Sequence, residues 1–323
     1  MSSLKLIMLA TAFVGTDGSP SSPEAEVRAA IEHSIPYIEE QGVAWIEAKD
    51  CVSCHRTGTM TWSLAAAKQQ GFKVSDQLDE WLTWSLDSSL ATNDKGKLVG
   101  SGNKEGLVQL IMTRAYVDET DSRREAFSKF AEIMTGDQQT DGSWKPGGQL
   151  PSQKRPLEET TAVTTMWITL ALTDPLTAAA SPDVISNAMQ YIRSQPAGVS
   201  TEWYAVRLLL ARQLDDQKML AETVEQLQAA QRDDGGWGWL VEEQSDALGT
   251  GLALYALLQA GSGDQNTIDR AVQFLIASQQ PDGSWPVKGT KQKKRDGIEE
   301  TATYWGTTWA VIALTGYHGT LSP

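Results

Sequence analysis

Three segments of the chain share one pattern, a glutamine followed six residues later by a tryptophan, with Asp-Gly-x directly before the tryptophan. They are residues 138–144, 231–237 and 279–285. Their tryptophans are 93 and 48 residues apart, so the longer interval is close to twice the shorter one. A fixed spacing of this kind is the signature of a repeat architecture, and it constrains the fold more than any other feature of the chain.

Helical periodicity flanks each copy. Before the last turn, Ile268, Val272 and Leu275 form an apolar stripe at helical spacing, and residues 301–316 after it are again apolar. The unit is therefore helix, turn, helix, in which glycine permits the turn and aspartate suits its hydrogen bonding. Six units fit from residue 24 onward, and the second, residues 76–116, is placed by spacing alone.

Two segments are interpreted as imperfect copies of the turn. One is residues 40–45, which end at Trp45, and the other is residues 194–203, which end at Trp203. Together with the three clear copies they keep the spacing regular along the chain. The sequence predicts one all-α domain over residues 24–323.

The Gln…Gly-x-Trp turn resembles the QW motif of squalene-hopene cyclases and the related repeats of protein prenyltransferases. This resemblance implies an α/α toroid, an inner ring of helices inside an outer ring, with the turns gathered at the mouth of a central cavity. An open solenoid of the HEAT type has helix pairs of similar length and is the alternative.

The activities of these families are not expected here. The acidic Asp-x-Asp-Asp motif of a class II terpene cyclase is absent, since Asp215-Asp216 and Asp233-Asp234 have no third carboxylate. A prenyltransferase zinc site is also not expected, because neither His33 nor His318 has ligand-like neighbours. A shared fold does not carry the activity with it.

The strongest chemical signal is the run Cys51-Val52-Ser53-Cys54-His55. Cys-x-x-Cys-His is the attachment motif of c-type haem, in which two thiols bind the vinyl groups and the histidine binds the iron. A thioredoxin-type pair needs a βαβ context, and a zinc half-site needs further ligands. The segment resembles the haem-bearing first repeat of bacterial cytochrome-type proteins with squalene-cyclase repeats. We expect one covalent haem c near the cavity mouth.

Two later loops match each other. Each is basic and leads to a Glu-Glu-Thr sequence, and Glu158 and Glu299 each follow a repeat tryptophan by 14 residues. Acidic residues at a helix N-terminus complement the helix dipole, which explains them without any function. The functional interpretation is that Arg155 and Arg295 pair with haem propionates or another anion, and that the glutamates relay protons as candidate catalytic residues.

The sixth iron ligand is not evident. His33 and His318 are expected at the far end of the ring. Met60 follows His55 by only five residues, and Met166, on an inner helix, is a weak candidate because methionines more often pack in cores. The sequence slightly favours an open iron site or one filled by an external ligand.

Composition limits the partners and the compartment. The net charge of −14 argues against nucleic acid, although residues 288–295 form a basic cluster. Residues 1–23, with an apolar run followed by Gly, Ser and Pro, are expected to be a secretory leader. No other segment has the apolar length of a membrane span. We therefore expect a periplasmic or secreted protein.

Three functions follow as hypotheses. The first is electron transfer to a redox partner protein, with the toroid as scaffold. The second is a haem enzyme or sensor whose open iron site takes a small-molecule ligand. The third is a toroid that binds an isoprenoid or another lipid in its cavity without cyclase activity.

Overall fold

A computed structural model describes residues 22–148, 150–174 and 182–321 and, at His55, the backbone alone. The leader expected over residues 1–23 lies outside these ranges except for Ser22 and Pro23, which begin the first helix. In the described ranges the secondary structure is helical apart from isolated bridges between loops. The α-helices are α1 (Pro23–Lys49), α2 (His55–Gln69), α3 (Leu78–Leu90), α4 (Lys104–Thr113), α5 (Asp121–Gly136), α6 (Leu157–Leu172), α7 (Pro182–Ser194), α8 (Thr201–Gln213), α9 (Gln217–Ala229), α10 (Ala247–Ala260), α11 (Gln265–Ser278) and α12 (Glu300–Leu321).

The even-numbered helices form a closed inner ring. Each packs against the next even-numbered helix, and α12 packs against α2 to complete the circle. The odd-numbered helices pack around them, and α1 contacts both α11 and α12. The predicted α/α toroid is confirmed, with six helix pairs, and the open solenoid is wrong.

Burial follows this arrangement. The inner helix α10 is buried on nearly all sides, whereas the outer helix α11 buries one stripe that includes Ile268, Val272 and Leu275. A helix that is apolar all round requires a partner on every side, which the inner ring supplies.

The Gly-x-Trp turns join the two helices of each repeat. The Trp285 indole is buried, and its Nε1 donates to the carbonyl oxygen of Leu275 at 2.7 Å. The backbone N–H of Trp285 donates to Thr307 Oγ1 at 3.1 Å, which ties α11 to α12. The turns at Trp144 and Trp237 make the same two hydrogen bonds.

Glycine is required in these turns for two reasons. Gly283 has φ of +83°, a left-handed conformation, and a Cβ built on it would overlap the carbonyl oxygen of His33 on α1. Gly142 and Gly235 have the same conformation, and each lies equally close to the backbone of the next outer helix. The turn backbone therefore packs directly on the following repeat.

The imperfect copy at residues 40–45 was wrong as a turn, because Trp45 lies within α1, which is 27 residues long and ends only at Lys49. The copy at residues 194–203 spans the connection from α7 to α8, but its Trp203 lies in the first turn of α8. The second unit, placed by spacing alone, is present as the pair α3 and α4.

The acidic pairs Asp215-Asp216 and Asp233-Asp234 have structural roles. Asp234 Oδ1 accepts a hydrogen bond from the Gly236 N–H within its turn, and Asp216 caps α9. Among the described helices, none combines the length and the apolar character needed to cross a bilayer.

Candidate functional site

A cavity of about 270 Å³ lies at the N-terminal ends of the inner helices, where the toroid was expected to have its mouth. Cys51 and Cys54 are both part of its lining. Deeper in the ring the wall is aromatic and includes Trp167, Trp305 and Trp309. Small-molecule sites have this character, a concave apolar wall with a few polar groups.

Three elements fix the backbone of the cysteine loop. Thr57 Oγ1 on α2 donates to the carbonyl oxygen of Cys51 at 2.7 Å, and Asn103 Nδ2, just before α4, donates to that of Ser53 at 2.6 Å. Ser85 on α3 donates to the carbonyl of Val52. The loop conformation is thus set by helices from two repeats.

The N-terminus of α4 presses on this loop. A Cβ built on Gly106 would overlap the carbonyl oxygen of Ser53, so that only glycine allows this approach. Cys54 is the N-cap residue of α2 and His55 is its first residue, which places all three residues of the motif at one end of an inner helix.

The two thiols lie close together. A hydrogen bond with Cys54, followed by burial, raises the pKa of the Cys51 thiol well above its ordinary value. Redox-active Cys-x-x-Cys pairs have the opposite property, a lowered thiol pKa that supplies the thiolate. In the part of the chain that the structure describes, there is no cluster of three or more potential metal ligands.

The mouth is crossed by a strap, which we define as residues 145–148 and 150–156 together with the paired loop 286–299. Gln153 and Lys291 form an antiparallel bridge, and the Lys154 N–H donates to the carbonyl of Thr290 at 2.8 Å. These loops lead into α6 and α12, opposite members of the inner ring, so the strap spans the ring. Gln153, Thr290 and Lys291 contribute to the cavity lining.

The structure places Arg155 inside the protein. Its Nη1 donates to Glu202 Oε2 at 2.8 Å, and both side chains are buried. Glu202 Oε1 also accepts a hydrogen bond from Trp167 Nε1 at 3.0 Å. Arg155 therefore has a carboxylate partner within the chain, and Glu202 lines the cavity.

Glu158 is exposed in the first turn of α6, whereas the next residue, Glu159, is buried. Glu159 accepts hydrogen bonds from the backbone N–H groups of Val199 and Ser200 at 3.0 and 2.9 Å, and so holds the loop before α8. Neither glutamate lines the cavity.

The matching residues of the last loop lie at the surface. Arg295 is exposed, with Asp296 Oδ1 3.8 Å from its Nε. Glu299 is half-buried and accepts hydrogen bonds from Lys294 Nζ at 3.0 Å and from the Ala302 N–H at 2.9 Å. Burial opposes ionisation of Glu299, but these donors hold its pKa below the ordinary value.

The methionine candidates are both fully buried. Met60 packs against Gly42 of α1, where a Cβ on the glycine would overlap its Sδ. Neither Met60 nor Met166 is part of the cavity lining.

The two histidines are also placed. His318 is buried near the C-terminus of α12, at the far end of the ring as expected, with Phe72 beside it. His33 lies instead on the outer surface, where its Nε2 is 2.9 Å from the carbonyl oxygen of Pro281 in the last turn.

Glu105 was not identified from the sequence. It is buried in the first turn of α4, lines the cavity, and has Oε2 without a hydrogen-bond partner among the described residues. Burial raises its pKa to about 7. No pattern in the sequence marks it, because the inner helices α6, α8 and α12 also have glutamate in their first turn.

The chain is similar to known toroid proteins in sequence and in structure. Residues 199–317 match the family model of the squalene-hopene cyclase C-terminal domain. The structure of unsaturated glucuronyl hydrolase from Streptococcus agalactiae has a TM-score of 0.63 at 11% identity, covering 97% of this chain and 98% of that one.

Two further structures are similar. The type II terpene cyclase MstE from Scytonema, solved with geranylgeranyl dihydroxybenzoate, has a TM-score of 0.58 at 15% identity and covers 92% of this chain and 99% of its own. A family 88 glycosyl hydrolase from Bacteroides vulgatus has a TM-score of 0.59 at 10% identity, covering 92% of this chain and 99% of that one. At these identities the likeness shows the α/α toroid fold alone.

Proposed function

We propose that the protein is an exported monohaem c-type protein that transfers electrons, with the haem bound through Cys51 and Cys54 and the iron ligated by His55. The observation that carries the proposal is that both thiols of a Cys-x-x-Cys-His sequence line the cavity. The toroid then serves as the scaffold, and the mouth as the face toward a redox partner.

The residues present fit a covalent haem. The thiols are adjacent, the loop that bears them is held by hydrogen bonds to its carbonyl oxygens, and the cavity wall beyond it is aromatic. In addition, α2 is the one described inner helix with no acidic residue at its N-cap or in its first turn. The N-terminus of α2 therefore adds no carboxylate to the site of attachment, and the carboxylates of the lining, Glu105 and Glu202, come from α4 and α8.

When bound, a haem supplies one-electron chemistry whose potential depends on its axial ligands and on burial. The chain's own residues set the surroundings. The strap forms part of the cavity wall through Gln153, Thr290 and Lys291. The basic cluster 288–295 lies in the strap of a chain with net charge −14, which favours an acidic partner surface at the mouth.

The haem enzyme or sensor is the second candidate, and one observation favours it. The buried Glu105 carboxyl has a pKa of about 7, so it is able to exchange a proton within the cavity at neutral pH. The lipid-binding toroid gains support only from the fold and the aromatic wall, since the likeness to a terpene cyclase concerns the fold alone.

Expression with an export signal and the cytochrome c maturation machinery tests the proposal. The wild-type protein is expected to keep its colour after extraction with acid acetone, because thioether bonds survive that treatment. The Cys51→Ser, Cys54→Ser double variant is expected to lose it, and His33→Ala, a surface histidine, serves as the matched control. Wild-type protein that folds but gains no haem under these conditions would overturn the proposal.

A further inference from the structure

Glu105 has no counter-charge of its own. Its Oε1 accepts a hydrogen bond from Thr164 on α6, while its Oε2 has no partner among the described residues. Arg155 is the cation whose field acts on it, and that guanidinium is already paired with Glu202. Buried carboxylates are normally paired or hydrogen-bonded on both oxygens, so this side chain is an exception that requires a reason.

The neighbouring polar atoms share the same chemistry. Gln109, one turn after Glu105 on α4, and Gln153 of the strap also line the cavity, and the Oε1 atom of each is buried without a partner in the described ranges. These three atoms are acceptor oxygens and call for a ligand that donates hydrogen bonds, while the buried Nε1 donors of Trp45 and Trp309 in the same lining are also unpartnered in the described ranges.

The rest of the wall is aromatic. The indoles of Trp167 and Trp309 lie with their ring centroids 6.1 Å apart and line the cavity together with Trp305. Indole faces provide a large apolar contact surface for the hydrocarbon part of a ligand. The cavity therefore combines a buried carboxyl, acceptor oxygens and indole faces.

We propose that this cavity binds a small organic ammonium ion, with the ammonium group at Glu105 and Gln109 and its alkyl part against the tryptophans. A metal ion fits less well, because the described residues place no group of three or more metal-ligating side chains together. A neutral alcohol satisfies the acceptors but leaves the Glu105 charge uncompensated. The volume of about 270 Å³ suits a compact ligand.

This inference does not depend on the haem. The two proposals concern different groups in one cavity, the thiols of the cysteine loop and the carboxyl of Glu105 on the adjacent α4. Binding is therefore measured on the full chain both as wild type and as the Cys51→Ser, Cys54→Ser variant. If no haem is attached, ammonium binding is still tested. If no ammonium binds, haem attachment is still tested.

The experiment is titration calorimetry with ethylammonium at pH 8.5, with tryptophan fluorescence as a second readout and ethanol as the neutral probe of similar size. We expect saturable binding of ethylammonium and none of ethanol. Glu105→Gln is expected to weaken binding by about 30-fold or more, because it removes one partner of a buried charge pair. Glu158→Gln, an exposed glutamate in the first turn of the neighbouring inner helix, is the matched control and should bind as wild type.

Three outcomes would overturn the proposal. They are the absence of saturable ethylammonium binding below ~100 mM in both proteins, equal affinity for ethanol, and unchanged affinity in Glu105→Gln. Circular dichroism of each variant verifies that the chain is folded.

Discussion

The side-chain amide of Gln279 donates to Ser34 Oγ at 2.8 Å and to the carbonyl oxygen of Ala30 at 2.9 Å, and so joins the last outer helix to the first. Gln138 and Gln231 make the equivalent contact with the outer helix that follows each of them. The glutamine at this position of the repeat therefore links consecutive repeats, and in the last repeat it closes the ring.

Removing this amide should destabilise the closed ring. We expect Gln279→Ala to lower the free energy of unfolding by about 1–2 kcal/mol, since buried acceptors lose their donor. Gln280→Ala changes the adjacent exposed glutamine and should have almost no effect. Urea denaturation measures both, and equal stabilities for the two variants would contradict the closure.

Gly106 should be essential for the cysteine loop. Gly106→Ala forces α4 away from the carbonyl of Ser53, so we expect lower stability and a smaller fraction of protein with attached haem. Gly102→Ala is the control, because a Cβ there meets nothing within 4 Å. Thermal unfolding together with haem content measures the effect, and identical behaviour of the two variants would show that the close approach is not needed.

Glu105 should make stability depend on pH. Burial raises its pKa from the ordinary 4.5 to about 7, so between these values the native state binds more protons than the unfolded chain, and stability falls as pH rises. The penalty is complete above pH 7 and absent below pH 4.5. In amine-free buffer, Glu105→Gln should therefore equal the wild type at low pH and exceed it by about 3 kcal/mol at pH 8. A constant difference across this range would show that the carboxyl is not responsible.

The repeat turns could be predicted because their chemistry is local. Asp, Gly and Trp within one short segment determine the turn, and its partners are the flanking helices. Gly42 shows where this reasoning fails. The glycine lies three residues before Trp45 and resembles the turn pattern, but it serves close packing within a helix, against Met60 and the Tyr304 hydroxyl from α12.

The cavity could be predicted only in part. The cysteine motif is contiguous in sequence, so its position at an inner helix N-terminus followed from the repeat. The environment of Arg155 and Glu105 depends on side chains from other repeats, such as Glu202 and Thr164. Contacts between repeats leave no local pattern in the sequence. The buried ion pair of Arg155 with Glu202 and the unpartnered carboxyl of Glu105 were therefore found only in the structure.

The iron should be accessible to external ligands if the haem is attached as proposed. Met60 and Met166 do not line the cavity, and His33 and His318 lie away from it. The reduced protein should therefore bind carbon monoxide with a clear change in its absorption spectrum. A low-spin spectrum unresponsive to carbon monoxide would show a strong sixth ligand, and its loss in Met166→Ala or Met60→Ala would identify that ligand.

The mass of the intact, denatured protein shows whether haem is covalently attached. After expression with export and cytochrome maturation, we expect a mass increase equal to one haem, carried by the peptide that contains Cys51, Cys54 and His55. The Cys51→Ser, Cys54→Ser variant should have the mass of the polypeptide alone. A wild-type chain of unmodified mass, folded and with two free thiols, would contradict the assignment of this toroid as a c-type haem protein.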